Sequence, residues 1–559
     1  MTAKEEKKKE EIILDRSKDR IIRMQTESGF EPKPSYGPDD LKGWDYARDL
    51  GNDGEFPYTR GMYPGMYRNL LWISAQVLQR ETIEKSRAEQ EVIWMSGAPV
   101  FYYGAGDVNR TGLDPDHPLA KYDAGYCPEF YSLERMGRAL QGISMESGIF
   151  QFHGASSQLD DAMCVAQLAA VAEMRGVDKA KIRGSCINDP LDNMATAFSI
   201  DFPFEISMRL HGDLTEYIVR EMPTYSPFSP IAYDLWEAGC DTVQQLGIIM
   251  CSLTAYNQIA VDRGIPFDQI GRRATISMAS SMDFFETVCM IRAARRMWAR
   301  IAKERFGAND PKLCRLRIAI RTPGQTLTRQ QPLINIARVA FQALAAILGG
   351  ASAMDYSSHD EAVGIPSPEA RMVTLAMNHI IAQETGVGLT ADPLGGSYYV
   401  EWLTNKLEEE ATKLMKKIDD MGGILKVAES GWLRQLVRNA RDERQAALEK
   451  GERIQVGVNF FRQDEEPPYP QYEFEDMDKV QAELFAEVES LKKNRDIQKT
   501  RDALLTLREK AKGTENLMYP IIEAFKADAT RAEILGMIRE AYGYTYDTVD
   551  MIERPEFLN

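Results

Sequence analysis

The chain has 559 residues, of which 44% are hydrophobic and 27% charged, enough for one large buried core with appendages. Its 67 lysines and arginines against 84 aspartates and glutamates give a net charge of -17, which argues against binding to nucleic acid. Seven cysteines without a C-x-x-C pair argue against a disulfide scaffold or a zinc site and indicate reduced thiols.

Residues 1–54 are polar and predict an N-terminal arm that lies over a folded body. The first twenty residues lack the apolar stretch of a signal peptide. The longest uncharged apolar stretch, 339–354, is too short and too rich in glycine to span a bilayer. We therefore expect a cytoplasmic protein without a membrane partner.

Residues 55–461 alternate between short apolar runs and longer amphipathic segments, which indicates parallel strands joined by helices. Eight runs qualify as strands: 98–107, 148–157, 183–189, 226–234, 273–281, 315–323, 351–356 and 388–397. The sequence therefore predicts an α/β fold, a (β/α)8 TIM barrel with its active site at the carboxyl ends of the strands.

Residues 462–559 predict a linker followed by a C-terminal helical extension. Residues 462–476 are acidic and rich in proline, and the later residues place apolar side chains at helical spacing. The apolar faces of these helices need a partner, and we expect that partner to be the barrel itself.

Common catalytic signatures are missing from the sequence. The glycine-rich segment 104–112 has the spacing of neither a dinucleotide fingerprint nor a P-loop. Five dispersed histidines and no H-E-x-x-H helix predict no metal site. Of these histidines, His153 is retained as a candidate substrate-binding residue, because it ends a predicted barrel strand.

A series of motifs covers most of residues 55–461. They are EFPYTRGMYPGMYRNLLW (55–72), DPDHP (114–118), IND (187–189), YDLWEAG (233–239), SMDFFETVCMIRAARRMWA (281–299), RFGANDPKLCRLRIAIRTPGQTLT (305–328), HDEAVGIP (359–366), QETGV (383–387), DPLGGSYYVEWLT (392–404) and VGVNFF (456–461). In this order they resemble the acyl-CoA mutases related to methylmalonyl-CoA mutase.

The resemblance implies a substrate barrel that works with adenosylcobalamin. In that family the barrel holds an acyl-CoA along its axis, and a small Rossmann-like module carries the cobalamin, whose adenosyl group supplies a radical for a 1,2-rearrangement. The sequence to Asn559 has no D-x-H-x-x-G segment to supply the lower cobalt ligand. We therefore expect no cobalamin-binding domain in this chain and a hetero-oligomer with a small cobalamin-binding subunit.

Five residues match contacts of the family. Tyr63 and Met66 match residues near the acyl-CoA entrance, and Arg273 matches an arginine on the CoA chain. Tyr233 matches the tyrosine beside the reacting centre, and Glu361 matches a glutamate near the adenosyl ribose. The resemblance therefore implies a catalytic role for Tyr233 and a cofactor contact for Glu361.

Other positions depart from the family pattern. Ala197 stands where the family has a carboxylate-binding arginine, Val77 where it has a substrate-side tyrosine, and Ile187 where it has a CoA-side glutamine. Leu70 and Ala75 replace two entrance arginines. Because a carboxylate without its arginine is disfavoured in a dry pocket, methylmalonyl-CoA is disfavoured as the substrate. A bulkier or less acidic acyl group fits the three apolar residues better, and the two lost arginines weaken the case for CoA as the carrier.

Two further departures introduce charges. The family's carbonyl-binding histidine corresponds to Asp234 and a glutamine to Arg321. Asp234 would contact the substrate in one of two ways: as a neutral acid that donates a hydrogen bond, or as a carboxylate that accepts one from a hydroxyl or amino group. Alternatively, Asp234 forms a structural salt bridge with Arg273 or Arg321. Arg321 or Arg209 could supply a relocated positive charge.

The sequence leaves two functions open. The first is an active mutase subunit for a non-standard acyl thioester. The second is a non-catalytic mutase paralogue that acts as a structural or regulatory partner. The polar residues retained at strand ends favour the first.

Overall fold

Two arcs of parallel strands form the centre of the molecule. The computed structural model describes residues 23–77, 80–104, 111–120, 128–153, 158–197, 202–463, 469–474 and 476–559. The described strands are β1 Ile73–Ala75, β2 Val100–Gly104, β3 Ile149–His153, β4 Arg183–Cys186, β5 Tyr225–Ser226, β6 Thr275–Ala279, β7 Arg317–Arg321 and β8 Ala353–Asp355.

Helices connect these strands and extend beyond them. The described α-helices are α1 Ile83–Met95, α2 Leu133–Ala139, α3 Gln158–Met174, α4 Pro190–Thr196, α5 Phe204–Glu221, α6 Tyr233–Glu237, α7 Thr242–Asp262, α8 Phe267–Ile270, α9 Phe284–Glu304, α10 Asn335–Gly349, α11 Pro368–Gln383, α12 Tyr398–Asp420, α13 Ile424–Glu429, α14 Trp432–Glu449, α15 Met477–Asn494, α16 Ile497–Ala511, α17 Met518–Lys526 and α18 Arg531–Ala541.

The strands follow the circular order of a (β/α)8 barrel. One arc runs β2-β3-β4-β5 and the other β6-β7-β8-β1, and all pairs are parallel. A bridge between Ile231 and Ser277 joins β5 to β6, and β1 lies beside β2 at the opposite seam. The predicted fold class is confirmed.

Two strand predictions are wrong in detail. Residues 388–397 form turns, with Asp392 at φ 45 and Gly396 at φ 86, and the eighth strand is instead β1, the short segment before Gln76. The run 226–234 is a strand only at its start, because Pro227 and Pro230 offer no N–H to a ladder. Tyr233 therefore begins helix α6 rather than ending a strand.

Along each strand, side chains point alternately toward the surrounding helices and toward the barrel axis. Ile276, Met278, Ile318, Ile320 and Met354 are buried in a core shared with the surrounding helices. The residues between them must face inward, since successive side chains of a strand point to opposite faces.

Part of the inward layer is made of small residues and stays accessible, whereas Val100, Tyr102 and Ile149 fill the side of β2 and β3. Ser185, Ser226, Ser277, Ala319 and Ala353 are each partly exposed although they lie inside the barrel. The interior of a TIM barrel is normally filled by bulky branched side chains. The small residues leave room for an elongated ligand along the axis.

The C-terminal helices dock on the barrel, as expected from their apolar faces. Helix α17 packs on α3 and α5, and its apolar residues share one core with Phe150 and Phe152 of β3. Buried Arg531 of α18 is paired with Asp160 of α3.

The DPDHP motif connects the loop after β2 to this extension. Asp114 lies 3.1 Å from Lys492 and accepts the backbone N–H of Ala532 at 3.2 Å, while His117 Nε2 lies 3.3 Å from Asp547. The motif therefore has a structural role in the described part of the chain.

Candidate substrate channel and active site

Tyr233 lies above the carboxyl end of the axis and is held firmly. Its hydroxyl donates to Glu237 Oε1 at 2.6 Å, one helical turn away. The same carboxylate accepts the N–H groups of Gly324 and Gln325, at 2.6 and 3.1 Å, from the loop after β7. Burial and the adjacent Glu237 raise the pKa of Tyr233. The phenol therefore stays neutral.

Arg321 ends β7 directly beneath this tyrosine. Its guanidinium carbon is 4.7 Å from the centre of the Tyr233 ring, and its Nε is 3.4 Å from Asp355 Oδ2. Burial alone would lower the pKa of Arg321, but Tyr233, Asp355 and Glu361 hold it well above its usual range. Arg321 is therefore a permanent cation at this end of the channel.

Two carboxyl groups share this cation. Burial raises the pKa of Asp355 and of Glu361, and Arg321 opposes the rise in both. Glu361 follows β8 and accepts the N–H of Ser358 at 2.8 Å. One arginine thus faces at least two acids, and Asp234 and Glu237 lie nearby on α6.

The predicted apolar residues fall into separate places. Ile187 packs with Ile231, Tyr233, Trp236 and Ala279, so it lies beside the proposed reacting centre. Val77 packs against a second cluster of Ala75, Val100, Tyr102 and Ile149.

Ala197 belongs to neither cluster. It is exposed and ends α4 in a left-handed conformation with φ 55. Its role as a pocket residue stays a prediction.

Tyr63 and Arg273 lie at the opposite, amino end of the strands. Arg273 ends a short turn just before β6, and the backbone of Arg317 begins β7 beside it. Burial and the neighbouring Arg317 lower the pKa of Arg273. Burial and Arg315 lower the pKa of Arg317, whereas Tyr63 raises it. This end of the channel is a cluster of three arginines.

The remaining entrance positions differ from one another. Met66 is buried, and its sulfur accepts the N–H of Met62 at 3.2 Å, so it supports the entrance segment. Leu70 is 62% exposed. Ala75 pairs with Asp355 in the sheet and therefore lies at the carboxyl end of the channel rather than at its entrance.

Two other predicted residues can be placed. His153 is the last residue of β3 and pairs with Gly104, but its side chain lies outside the described atoms. Arg209 is on α5, where it binds Asp213 and the carbonyl groups of Gly513 and Glu515. The hypothesis that Arg209 supplies a charge to the substrate is wrong, because the residue secures the C-terminal extension.

The channel residues missed from the sequence include Tyr102, which bonds Asp355, together with Arg315, Arg317 and Asp355 itself. The alternation in RLRIAIR puts Arg317 and Arg321 on the same face of one strand, which could have identified the former. Asp355 has no such signal, because its pairing with Arg321 depends on the register of β7 with β8. Within the described ranges, no group of three histidine, cysteine or acidic side chains is arranged to hold a metal ion.

A parallel barrel lined in part by small residues, with arginines at one end and a tyrosine with buried charges at the other, has the geometry of a ligand-binding channel. Residues 25–544 match the family model described as methylmalonyl-CoA mutase. The chain belongs to this mutase family.

Similar proteins differ in how much of their length is matched. The chain is 32% identical over 522 residues to methylmalonyl-CoA mutase of Rhizobium meliloti, covering 93% of this chain and 72% of the relative. It is 29% identical to human mitochondrial methylmalonyl-CoA mutase, covering 93% and 68%. It is also 31% identical over 503 residues to the 2-hydroxyisobutanoyl-CoA mutase large subunit of Aquincola tertiaricarbonis, covering 89% of each.

Proposed function

We propose that this chain is the substrate-binding large subunit of an adenosylcobalamin-dependent acyl-CoA mutase whose acyl group carries no free carboxylate. The small residues along the barrel axis, with arginines at one end and the Tyr233–Arg321 cluster at the other, carry this proposal. A hydroxyl-bearing or otherwise uncharged, branched acyl group suits the site best.

The arginine end supports CoA as the carrier. Besides burial, Arg317 lowers the pKa of Arg273 and Arg315 lowers the pKa of Arg317, and the groups that set these pKa values include no carboxylate. Two adjacent cations without an acidic partner favour an anion between them, and phosphate binds guanidinium groups strongly. These arginines and Arg315 offset the loss of a cationic group at Leu70 near the entrance.

The other end disfavours an acidic acyl group. Arg321 is already paired with Asp355 and is close enough to Glu361 to influence its pKa. A substrate carboxylate placed here would meet an excess of acids, and a buried charge without its own partner costs several kcal/mol. A substrate hydroxyl, in contrast, can donate to a carboxylate such as Asp234. The similar large subunit named for a 2-hydroxyacyl substrate agrees with this chemistry.

The residues at the carboxyl end fit the family's cofactor. Glu361 is partly exposed there, and its carboxylate can accept a hydroxyl of a nucleoside. When bound, adenosylcobalamin supplies the radical that starts the rearrangement. Tyr233 covers the reacting group, and the apolar cluster with Ile187 excludes water from it.

We assign the cobalamin-binding module to a separate small subunit. The match to a protein named as a large subunit extends over 89% of both chains, whereas the methylmalonyl-CoA mutases are matched over a smaller part of their length. The alternative, a non-catalytic paralogue, is less consistent with the ordered Tyr233–Glu237 and Arg321–Asp355 contacts.

The decisive experiment measures turnover by the chain together with a cobalamin-binding small subunit and adenosylcobalamin. A 2-hydroxyacyl-CoA should be rearranged with a kcat/KM at least ~100-fold above that of methylmalonyl-CoA, because only the latter brings a free carboxylate. Efficient isomerisation of methylmalonyl-CoA would refute the assignment. CoA-dependent thermal stabilisation without turnover of any acyl-CoA would favour the paralogue.

Asp234 provides a second test. Asp234→Asn keeps the size of the side chain, but only one of its two terminal atoms can then accept a hydrogen bond from a substrate hydroxyl. We expect a ~10-fold or greater loss of kcat/KM for a hydroxyacyl substrate, and little change for its analogue without the hydroxyl. Equal activity of Asp234→Asn, Asp234→Ala and the unaltered protein from pH 6 to pH 8 would remove Asp234 from the site.

A further inference from the structure

Tyr102 places an aromatic ring on the inner face of the barrel. Phe101, the residue before it on β2, packs among the surrounding helices, so the side chain of Tyr102 points toward the axis. Tyr102 is 3% exposed and packs with Ala75 of β1 and with Val100. Several other strands carry serine or alanine at inward positions. The ring therefore narrows the axis on the β2 side.

The hydroxyl group of Tyr102 reaches the charged pair at the carboxyl end. Burial raises the pKa of Asp355, and Arg321 and a hydrogen bond from the Tyr102 hydroxyl both oppose the rise. The side chains of Arg321 and Asp355 are 22% and 14% exposed although they lie inside the barrel, so open space adjoins the pair. Because its hydroxyl group contacts Asp355, Tyr102 borders this space.

The backbone of Tyr102 is held in place as well. Gln90 of α1 is buried and accepts the N–H of Tyr102 at 3.4 Å, while its own amide donates to the carbonyl group of Val100 at 3.0 Å. Helix α1 thus anchors β2 beside the seam with β1. A side chain that is fixed at its backbone and at its hydroxyl group presents a rigid wall to a ligand.

A second tyrosine lies across the axis from Tyr102. The ring centre of Tyr233 is 4.7 Å from the guanidinium carbon of Arg321, and the ring packs with Ala279 of β6. Three strands separate β2 from β6 in either direction around the barrel, so the two strands are opposite each other. The apolar groups around Tyr102 and around Tyr233 form separate clusters. The acyl group of a thioester along the axis would lie between the two rings.

We propose that Tyr102 determines the size of the acyl group that the channel accepts. This assignment rests on the proposed function, because it takes the ligand to be an acyl-CoA whose acyl group reaches the carboxyl end. The ring leaves room for a short branched group beside Arg321 and excludes a long alkyl chain on the β2 side. Since a closely packed wall does not yield to additional methylene groups, a longer chain is rejected rather than accommodated.

The test measures binding, so it needs neither cobalamin nor a small subunit. Isothermal titration calorimetry on the full chain compares 2-hydroxybutanoyl-CoA with 2-hydroxyoctanoyl-CoA. We expect the unaltered protein to bind the shorter thioester at least ~30-fold more tightly. In Tyr102→Ala the two dissociation constants should lie within ~3-fold of each other, because the lost ring leaves room for the longer chain.

Two further variants separate the ring from the hydroxyl group. Tyr102→Phe keeps the ring, so its preference for the shorter thioester should remain above ~10-fold. Tyr102→Val removes the ring but keeps a residue suited to a strand. It should lose the preference as Tyr102→Ala does, and it replaces that variant if the alanine variant does not fold.

Tyr131→Ala is the matched control. Tyr131 is 2% exposed, but it packs against Leu484 and Val488 of the C-terminal extension. Its replacement removes an equally large buried ring outside the channel and should leave the ratio of the two dissociation constants unchanged. Circular dichroism and thermal melting verify that each variant is folded.

The outcomes distinguish this assignment from the proposed function. An unchanged ratio in folded Tyr102→Ala and Tyr102→Val would overturn the role of Tyr102 and leave the proposed function intact. The same loss of preference in Tyr131→Ala would also overturn it, because the effect would then be a general packing defect. The expected ratios without turnover of any acyl-CoA by the reconstituted enzyme would refute the proposed function alone. If the unaltered protein binds neither thioester, both are refuted.

Discussion

Replacing Arg321 by methionine should reduce turnover by at least ~100-fold and destabilise the protein by about 3–5 kcal/mol. Methionine fills similar space but leaves Asp355 and Glu361 without their shared cation. In the native protein Arg321 Nε lies 3.4 Å from Asp355 Oδ2. It also removes the positive charge beneath the Tyr233 ring. Steady-state kinetics and urea unfolding measure the two effects.

A double-mutant cycle distinguishes the pair from a general packing defect. The double variant Arg321→Met, Asp355→Asn should lose less stability than the sum of the two single changes, because neither buried charge is then left alone. Arg272→Met is the matched control: its ion pair with Asp310 is 57% and 35% exposed, and its loss should cost less than about 1 kcal/mol. Additive losses in the cycle would show that Arg321 and Asp355 do not act as a pair.

Replacing Arg295 by methionine should cost about 4 kcal/mol or more, the largest stability effect we expect from one side chain. Its guanidinium group is fully buried on α9 and donates to four backbone carbonyl groups. They belong to Tyr58 at 2.9 Å, Thr59 at 2.9 Å, Gly349 at 2.6 Å and Gly350 at 3.0 Å. Burial lowers the pKa of Arg295 to about 10, which leaves it charged at neutral pH.

The functional consequence follows from what these carbonyl groups hold. Tyr58 and Thr59 begin the entrance segment, and the glycines precede β8, so Arg295 ties the entrance to the barrel. We expect Arg295→Lys to remain folded but to raise the KM for the acyl-CoA more than it lowers kcat, since lysine cannot reach all four acceptors. Arg300→Met on the same helix, where the side chain is 31% exposed and bound to Glu408, is the control and should cost less than about 1 kcal/mol. A kcat effect without a KM effect would contradict this positioning role.

The sequence was sufficient for the barrel because its strands and helices repeat with different periods. Six of the eight predicted strands contain a described strand, and a seventh, 226–234, overlaps β5 only at Ser226; the alternation of apolar residues in RLRIAIR and RATISMASS matches β7 and β6. The errors occur where local composition misleads. The segment GLTADPLGGS resembles a strand but forms turns around Asp392, whose carboxylate pairs with buried Arg292 and with Arg60.

The residues of the site were accessible from sequence only in part. Tyr233, Arg273 and Glu361 were identified because they match family motifs, and the structure places them at the two ends of one channel. Arg317 was missed although the alternation in RLRIAIR places it on the same face of the strand as Arg321. Asp234 and Arg321 were both found, but their relation to the other charges depends on contacts between separate strands.

The sequence by itself determined the family, the parallel barrel, the helical extension and the chain's net negative charge, because these depend on periodicity, motifs and composition. Only the tertiary structure decided that small residues line part of the barrel axis, that Arg321 is already paired with Asp355, and that Arg209 serves the C-terminal extension. Each of these depends on which side chains from distant parts of the chain meet. The register between strands and the docking of helices determine these side-chain contacts, and neither can be read from a local stretch of residues.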